Sequence, residues 1–347
     1  MNGNSAVAEA AVRAGCRYFF GYPITPQNEL PEHMCKRLPD VGGVFVQAES
    51  ETSAINMVFG AAGAGARVMT SSSSPGISLK MEGISYLSGA RLPCVVVNMM
   101  RGGPGLGGIH AAQGDYFQAT KGGGHGDYRM VVLAPASVQE AVDLTREAFD
   151  IADRYRVVVM ILADGLLGQM MEPVAFEEDA PRDPPAKPWA TTGALDRAPN
   201  VVKSFDLDPY KLEEHVGELY DSYAEIASSE TRWELEASGD AEWFVVAYGT
   251  ASRIARSAVE AARQEGLPVG LIRPISLWPF PGEAFETVMD RAKGFLTVEM
   301  SRGQMVEDVR LAVNGRRPAH FYGRSSGVLP EEEAIVGELR RLGGDSW

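Results

Sequence analysis

Helical and strand patterns alternate along the first half of the chain. Short apolar runs of strand length and stretches of helical periodicity follow one another at residues 6–14 (helix), 16–22, 44–47, 51–64 (helix), 67–71, 77–90 (helix), 94–99, 130–134, 137–154 (helix) and 157–162. The run at 157–162 is apolar throughout and rich in β-branched residues, which is typical of a parallel strand covered on both faces. This alternation predicts an α/β fold with a doubly wound parallel sheet.

Two of the predicted helices begin with capping signals. Ser5 is the expected N-cap of the helix at 6–14. Ser137 precedes Glu140 by three residues at the start of the helix at 137–154, and this spacing predicts a capping box.

The pattern changes after residue 174. Residues 175–200 are rich in proline and charge, and a highly charged helix is predicted at 212–227. Strand and helix patterns then resume, with strands at 242–249, 269–272 and 295–298 and helices at 254–265 and 305–313. We therefore expect one α/β domain at 1–174, a linker with a surface helix at 175–240, and a second, smaller α/β domain at 241–347.

Composition is that of a globular protein large enough for two domains. The 347 residues are 45% hydrophobic and 22% charged, and the net charge of −14 argues against a nucleic-acid partner. Cys16, Cys35 and Cys94 form no CxxC pair, which argues against a disulfide framework or an iron–sulfur cluster in this chain. We find no signal peptide and no apolar run of about 18 residues. We expect a cytoplasmic protein with no membrane span.

The segment FGYPITP at 20–26 offers the first candidate site. The strand at 16–22 should end at Tyr22-Pro23, because the residue before a proline is held extended. Thr25 lies between two prolines, so its hydroxyl stands on a stiff loop at the carboxyl end of the strand. Ligands of open α/β sheets bind at that edge.

Two glutamates stand at the start of the helix at 51–64. Glu51 opens the helix, where a carboxylate is stabilised by about 0.3–1 kcal/mol through the helix dipole, so it is also explained as an ordinary helix-start residue. The turns that follow are built of small residues, which lets another backbone or a flat ring approach closely. Glu49 competes for any role, and the alternating strand before it predicts that Glu49 and Glu51 point the same way.

Two loops that follow strands add polar candidates. Arg101 begins the loop RGGPGLGG at 101–108, and a guanidinium binds carboxylates bidentately. The alternative is a flexible crossover loop that buries little and carries a solvated arginine. The loop SSSSPG at 71–76 either binds an anion at a helix N-terminus or forms an ordinary N-cap, and the cap is the favoured interpretation.

Two further features receive structural interpretations. Asp164-Gly165 resembles the start of the magnesium–diphosphate motif of thiamine diphosphate enzymes, but no asparagine follows before Asn200, so we interpret it as a strand-ending turn. His125 lies in a glycine-rich loop at 122–126, and a polar surface loop explains it without a catalytic role. No spaced cluster of His, Asp and Glu predicts a metal site.

Several motifs together resemble one family over essentially the whole chain. Similarity to the α subunit of 2-oxoacid:ferredoxin oxidoreductases is carried by YPITP at 22–26, ESETSAINMVFGAAGAG at 49–65, SSSSPGISLKMEGISY at 71–86, RGGPGLGG at 101–108 and TVEMSRGQMVEDVRLAV at 297–313. The 3-methyl-2-oxobutanoate (2-oxoisovalerate) branch is the most similar, and the 2-oxoglutarate branch is next. The resemblance implies a thiamine diphosphate pyrimidine-binding domain followed by a transketolase C-terminal-like domain. It also implies oxidative decarboxylation of a 2-oxoacid with coenzyme A to acyl-CoA and CO2.

The family pattern implies a role for one of the two glutamates. Thiamine enzymes place a glutamate nine residues before a glycine on this helix, and Glu51 with Gly60 has that spacing whereas Glu49 does not. Glu51 would therefore bond N1′ of the aminopyrimidine and favour the imino form that creates the ylide nucleophile.

The resemblance also implies roles for residues of the YPITP and RGGPGLGG motifs. Thr25 and Arg101 match positions that hold the 2-oxoacid carboxylate in relatives. Cofactor binding is assigned to Glu51 together with the start of the YPITP segment, Tyr22, Pro23 and Ile24.

Partner subunits are also implied. In the family the diphosphate and magnesium bind a β subunit, and further partners are a γ subunit and a ferredoxin-like subunit with iron–sulfur clusters. Because the chain begins about two dozen residues before YPITP, we expect γ to be a separate polypeptide.

Three alternatives stay open at this point. The chain could belong to a 2-oxoglutarate- or pyruvate-specific enzyme, or could be a degenerate thiamine domain that only supports a partner. A nucleotide-binding α/β protein is a third possibility, although the chain has neither a P-loop nor a Rossmann fingerprint.

Overall fold

The computed structural model describes residues 1–176 and 184–344. The helices of these ranges are α1 (Gly3–Arg13), α2 (Glu29–Asp40), α3 (Glu51–Gly63), α4 (Pro75–Gly89), α5 (Tyr116–Thr120), α6 (Val138–Tyr155), α7 (Gly165–Gln169), α8 (Pro209–Ser229), α9 (Gly249–Gln264), α10 (Gly282–Glu286), α11 (Met305–Val313) and α12 (Glu332–Gly343). The strands are β1 (Tyr18–Gly21), β2 (Val44–Gln47), β3 (Val68–Ser72), β4 (Cys94–Met100), β5 (Val131–Leu133), β6 (Val158–Asp164), β7 (Trp233–Glu236), β8 (Trp243–Val246), β9 (Val269–Pro274), β10 (Ser276–Trp278), β11 (Gly294–Glu299) and β12 (Ala319–Gly323).

The larger sheet has the strand order β10-β5-β6-β4-β3-β1-β2. Every neighbouring pair from β5 to β2 is parallel, which confirms the predicted doubly wound sheet. The edge strand β10 pairs antiparallel with β5, with Ser276 opposite Leu133. The sequence did not predict this strand, which comes from the C-terminal half of the chain and completes the N-terminal sheet.

The central strands of this sheet are covered on both faces. All seven residues of β4 and all seven of β6 are buried. Alternate residues of β4 belong to different apolar clusters, with Val96 facing one helical layer and Val97 facing the other. The continuous apolar runs in the sequence therefore reflect burial between two layers of helices.

The smaller sheet has the order β12-β11-β8-β9-β7. Its inner strands are parallel, and β7 pairs antiparallel with β9. This second α/β unit was predicted, although β7, β12 and α12 were not. The residue boundaries that we predict for the domains stay a prediction, because β10 crosses from one unit to the sheet of the other.

Helix starts agree with the sequence in one case and differ in another. Ser137 caps α6, with its hydroxyl accepting from the Glu140 N–H at 3.1 Å, as predicted. The Ser5 prediction is wrong, because α1 begins at Gly3, three residues before the predicted start, and Asn2 accepts from the Ser5 N–H at 2.8 Å. Helix α2 was missed, since Pro31 and Pro39 fall inside it and mask its periodicity.

Part of the predicted linker, residues 177–183, lies outside the described residues. The charged surface helix appears as α8, of which only Leu219, Tyr223 and Ile226 are buried. Within the described ranges, no helix combines the length and apolarity that crossing a bilayer requires.

Candidate functional site

The candidate residues gather at the carboxyl edge of the larger sheet. Parallel strands β1, β3, β4 and β6 all end at this edge. Thr25 follows β1, the serines at 71–74 end β3, and Arg101 follows β4 directly. Sequence reasoning placed them in separate loops, and the sheet brings them together at the edge where α/β proteins bind ligands.

Glu51 and Glu49 take different positions. Glu51 is the first residue of α3 and only 6% exposed, whereas Glu49 is exposed and accepts from the Ser53 hydroxyl at 3.0 Å. Ser50 caps the helix by accepting from the Ser53 N–H at 3.1 Å. The prediction that both glutamates point the same way is wrong, because the strand alternation ends before the helix begins at Glu51.

The Glu51 carboxylate packs against the start of α4. A Cβ placed on Gly76 would lie 2.6 Å from Glu51 Oε1 and 2.1 Å from the Ser72 hydroxyl, so only glycine fits between them. Within the described residues, no hydrogen bond to the Glu51 carboxylate is found. The residue is largely buried, and its carboxylate is free to accept a hydrogen bond from a ligand.

Two neighbouring hydroxyl groups are also without partners. The Ser72 and Ser73 side-chain oxygens are buried and form no hydrogen bond in the described ranges. Buried polar groups without partners are rare in proteins and usually have a functional or ligand-related reason. Ser72 and Glu51 both approach Gly76, so an unused hydroxyl lies beside the glutamate carboxylate.

Arg101 is held between two loops. One guanidinium nitrogen donates to the Thr25 carbonyl at 2.9 Å and another to the Leu106 carbonyl at 3.0 Å. The residue is only 7% exposed, so the alternative of a solvated arginine is wrong, although residues 103–108 of its loop are exposed. Its Nε is buried and has no hydrogen-bond partner in the described ranges, so one donor of the guanidinium is unused.

The serine loop is fixed by a buried polar network. The Ser74 hydroxyl donates to Asp115 at 2.6 Å and accepts from the Arg101 N–H at 3.0 Å, and Asn98 also donates to Asp115 at 2.9 Å. Burial raises the pKa of Asp115, against these hydrogen bonds. Ser74 occupies the N-cap position of α4, but its side chain makes no capping bond. The prediction of an ordinary N-cap is therefore wrong, because the Ser74 hydroxyl does not bond to the free N–H groups at the start of α4.

Hydrogen bonds from α1 and β3 hold the end of the YPITP segment in place. Asn4 donates to the Pro26 carbonyl at 2.8 Å, and the fully buried Gln27 accepts from the Ser71 hydroxyl. Tyr22 and Pro23 are exposed, whereas Ile24 and Thr25 are half-buried at the site edge. The cofactor contacts assigned to Tyr22, Pro23 and Ile24 stay predictions.

Lys80 and Gln27 are site residues that sequence reasoning missed. Lys80 is completely buried on α4. A signal for it exists in the sequence, because Lys80 shares the helical spacing of the apolar, buried Ile77 and Ile84. Gln27 follows the YPITP motif directly, but no pattern distinguishes it from an exposed turn residue.

Two features of the sequence have no part in this cluster. Asp164 ends β6 and caps α7, accepting from Leu166 N–H at 3.0 Å and Leu167 N–H at 3.3 Å, which agrees with a strand-ending turn. His125 is exposed on its loop and packs edge-on against Tyr86. The described residues contain no group of three or more His, Cys, Asp or Glu side chains placed to hold a metal ion.

The second α/β unit supports the Arg101 loop from outside. Gln113 exchanges hydrogen bonds of 2.8 and 2.9 Å with the backbone of Met300, and a Cβ on Gly102 would lie 3.2 Å from Ser326. The start of the loop, at Gly102, is therefore packed against the second unit, whereas residues 103–108 are exposed.

Family comparisons cover both α/β units. Residues 9–216 match the model "Pyruvate flavodoxin/ferredoxin oxidoreductase, thiamine diP-bdg". Residues 241–335 match "Pyruvate:ferredoxin oxidoreductase core domain II".

Individual proteins are similar over the whole chain. The ketoisovalerate oxidoreductase subunit VorB of Methanothermobacter thermautotrophicus is 52% identical over 100% of this chain and 98% of its own length. The 2-oxoglutarate synthase subunit KorA of Archaeoglobus fulgidus is 37% identical over 98% of this chain and 99% of its own.

Solved structures share the fold. The 2-oxoglutarate:ferredoxin oxidoreductase of Magnetococcus marinus, with 2-oxoglutarate, coenzyme A and succinyl-CoA bound, superposes with a TM-score of 0.84 at 26% identity. The match covers 98% of this chain and 64% of that longer chain. A split gene transketolase superposes with a TM-score of 0.64 at 15% identity over 98% and 97% of the two chains, which is a likeness of fold.

Proposed function

The chain belongs to the pyruvate flavodoxin/ferredoxin oxidoreductase family, and on that premise we propose that it provides the pyrimidine-binding half of a thiamine diphosphate site in a complex that oxidises 2-oxoisovalerate. The observation that carries the proposal is the position of Glu51, which is only 6% exposed and whose carboxylate lies beside Gly76 at the carboxyl edge of the sheet. It lies on the same sheet edge as the Arg101–Thr25 pair.

Glu51 is the cofactor-binding and catalytic residue of this proposal. Its carboxylate accepts a hydrogen bond from N1′ of the aminopyrimidine, and burial strengthens that contact because the local dielectric is low. Thiamine diphosphate, when bound, supplies a carbon nucleophile and an electron sink for decarboxylation. Ser72 and Ser73 offer hydroxyl groups without protein partners for the remaining polar edge of the ring.

Arg101 and Thr25 hold the substrate carboxylate. The Nε of Arg101, which has no partner in the described ranges, provides a charge-assisted donor for that carboxylate. The carbonyl that binds the guanidinium belongs to Thr25 itself, so the Thr25 hydroxyl lies on the same residue. The two residues therefore present adjacent donors to one carboxylate.

A branched aliphatic oxoacid suits the surroundings of this arginine. Leu106, whose carbonyl binds Arg101, is 82% exposed, and Ile109, directly after the same loop, is 57% exposed. These side chains favour an apolar substrate tail, whereas the second carboxylate of 2-oxoglutarate would need a second cation. The 52% identity to a ketoisovalerate oxidoreductase subunit supports the same choice.

Partner subunits supply the rest of the reaction. The family consists of multi-subunit oxidoreductases, and we propose a β subunit with the diphosphate and magnesium site, a γ subunit, and a ferredoxin-like iron–sulfur subunit. The product is an acyl-CoA, with CO2 released. A cytoplasmic location belongs to the same proposal.

The test is an assay of the reconstituted complex with 2-oxoisovalerate, 2-oxoglutarate and pyruvate, each with coenzyme A and a low-potential dye. We expect the highest kcat/KM for 2-oxoisovalerate. A higher value for either competitor would overturn the substrate assignment. If the complex bound no thiamine diphosphate, the chain would instead be a degenerate thiamine domain that only supports a partner.

A further inference from the structure

Ser74 has an unusual backbone conformation between β3 and α4. Its φ is 22°, in a region that residues with a side chain seldom adopt, and such a conformation persists only where the surroundings impose it. Here the Ser74 N–H donates to the Asn98 side chain at 3.1 Å, and the Ser74 hydroxyl donates to Asp115 at 2.6 Å. Asn98 donates to the same Asp115 oxygen at 2.9 Å. The Asp115 carboxylate therefore holds Ser74 both directly and through Asn98.

The Ser74 hydroxyl in turn holds the backbone of Arg101. Its oxygen lies 3.0 Å from the Arg101 amide nitrogen and 3.2 Å from the Arg101 carbonyl oxygen. A hydroxyl has a single proton to donate, and Asp115 at 2.6 Å is the nearer and stronger acceptor. The lone pairs of the hydroxyl are therefore left to accept from the Arg101 N–H. Asp115 thus fixes the direction of the bond between Ser74 and Arg101.

The position of the Arg101 backbone determines where its guanidinium lies. Arg101 directly follows β4, and its side chain reaches the carbonyls of Thr25 and Leu106 from that point. A shift of its backbone would displace the unused Nε donor from the place where the oxoacid carboxylate binds. Displacements of about 1 Å are enough to reduce catalysis strongly.

Asp115 is itself held by the second α/β unit. Gln304, directly before α11, donates to the Gly114 carbonyl at 2.7 Å and accepts from the Phe117 N–H at 2.8 Å. The backbone on both sides of Asp115 is therefore bonded to one side chain of the other unit. This arrangement makes the Asp115 carboxylate a fixed point against which Ser74 is held.

We propose that Asp115 is a positioning residue for the oxoacid, which holds Ser74 and through Ser74 keeps Arg101 where its guanidinium meets the substrate carboxylate. The inference rests on the proposed function of Arg101. Because Asp115 acts on the residue that binds the oxoacid, its loss should weaken the binding of the oxoacid and leave the binding of coenzyme A unchanged. A residue that only stabilised the fold would not separate the two substrates in this way.

The experiment is steady-state kinetics of the complex reconstituted with its partner subunits, using 2-oxoisovalerate, coenzyme A and a low-potential dye. Asp115→Ala removes the acceptor, Asp115→Asn keeps an acceptor oxygen for Ser74, and Ser74→Ala removes the hydroxyl between Asp115 and Arg101. Glu230→Ala is the matched control for lost stability. Glu230 is a buried carboxylate that accepts from Tyr155 at 3.2 Å, and Tyr155 precedes β6 at the opposite edge of the sheet.

We expect Asp115→Ala and Ser74→Ala to raise the KM for 2-oxoisovalerate by about tenfold or more, with the KM for coenzyme A unchanged. Asp115→Asn should stay close to the unaltered complex, and Glu230→Ala should lower the unfolding temperature without changing either KM. An unchanged KM for the oxoacid in Asp115→Ala or in Ser74→Ala would overturn the inference. If Asp115→Ala does not assemble, Ser74→Ala decides the matter.

A double variant tests whether Asp115 acts through Arg101. In an Arg101→Ala background, Asp115→Ala or Ser74→Ala should cause little further loss of kcat/KM for the oxoacid, because the contact that both changes affect is already gone. Losses that multiply in the double variant would overturn the inference, since Asp115 would then act independently of Arg101.

Arg101→Ala alone separates this inference from the proposed function. If Arg101→Ala leaves the KM for the oxoacid unchanged, the proposed carboxylate site itself fails. If Arg101→Ala raises that KM while Asp115→Ala and Ser74→Ala do not, only the role of Asp115 fails.

Discussion

The guanidinium of Arg101 donates a hydrogen bond to the carbonyl oxygen of Thr25 at 2.9 Å, joining residues 76 positions apart. The same guanidinium binds the Leu106 carbonyl, so one side chain connects the YPITP loop to the glycine-rich loop. An arginine held this way loses little freedom when a carboxylate binds, and preorganisation of this kind favours affinity.

Replacing Arg101 should reduce activity toward the oxoacid. Arg101→Lys cannot reproduce parallel hydrogen bonds, and losing one charge-assisted bond of about 1.5–3 kcal/mol predicts a drop of roughly tenfold to hundredfold in kcat/KM. The KM for coenzyme A should stay the same. Arg101→Ala should also lower the unfolding temperature, since the carbonyls of Thr25 and Leu106 lose the donor that joins their loops. An unchanged kcat/KM in both variants would remove Arg101 from the substrate site.

The two glutamates should respond differently to neutralisation. Glu51→Gln is nearly isosteric, so the fold should persist while activity falls by about 10²–10⁴-fold, the usual range for a general acid–base role. Glu49→Gln should have little effect, because Glu49 is exposed. Steady-state kinetics of the two complexes decide the matter, and the reverse order would identify Glu49 as the cofactor ligand.

Gly76 should not tolerate a methyl group. Gly76→Ala places a Cβ within 2.6 Å of Glu51 Oε1, and overpacking of this kind costs about 1–3 kcal/mol. We expect a lower unfolding temperature and at least tenfold weaker binding of thiamine diphosphate. Gly60→Ala is the matched control, because it meets no atom within 4 Å in α3 and should raise stability by about 0.5–1 kcal/mol. Equal unfolding temperatures for the two variants would contradict the packing.

Acid should destabilise the protein through Glu9. Burial alone would raise the pKa of Glu9, but hydrogen bonds from Arg37, His33 and Arg13 outweigh it and lower the pKa from 4.5 to about 2. Because the folded-state pKa is the lower one, this stabilisation is present above about pH 4.5 and is lost as the pH falls toward about 2. Glu9→Gln should be less stable at neutral pH and lose less stability in that window. Denaturant unfolding at several pH values measures both effects, and parallel curves would contradict the assignment.

The isolated chain should not decarboxylate any 2-oxoacid. It carries no diphosphate motif and none of the cysteine spacing of an iron–sulfur cluster. Incubation with 2-oxoisovalerate, thiamine diphosphate and magnesium should release no CO2 until a partner is added. Release of CO2 by the chain alone would show that it contains a complete thiamine diphosphate site.

The sequence predicted the elements that periodicity encodes. The apolar runs of β4 and β6 and the helix starting at Glu51 needed no tertiary information, because burial between two layers and helix propensity act locally. Motif resemblance then selected Glu51 over Glu49. The structure separates the same two residues by burial.

The parts that failed depend on contacts between distant segments. No local pattern reports that Arg101 is buried, because its partners lie on the YPITP loop and at the far end of its own loop. Lys80 pairs with Thr70 and Ser71 across the helix–strand contact, and only its spacing among apolar residues indicated burial. Strand β10 was missed because three residues carry too little periodicity to define a strand.

Because β10 pairs with β5, the N-terminal sheet cannot be completed until most of the chain has been synthesised. The N-terminal sheet acquires its last strand only after the chain has passed through four elements of the other unit, from β7 to β9. Until then the β5 edge has free backbone groups, and an open edge of this kind invites association with other chains. If the two units were encoded by separate genes, the N-terminal product would therefore tend to aggregate through its β5 edge until β10 of the C-terminal product paired with that edge.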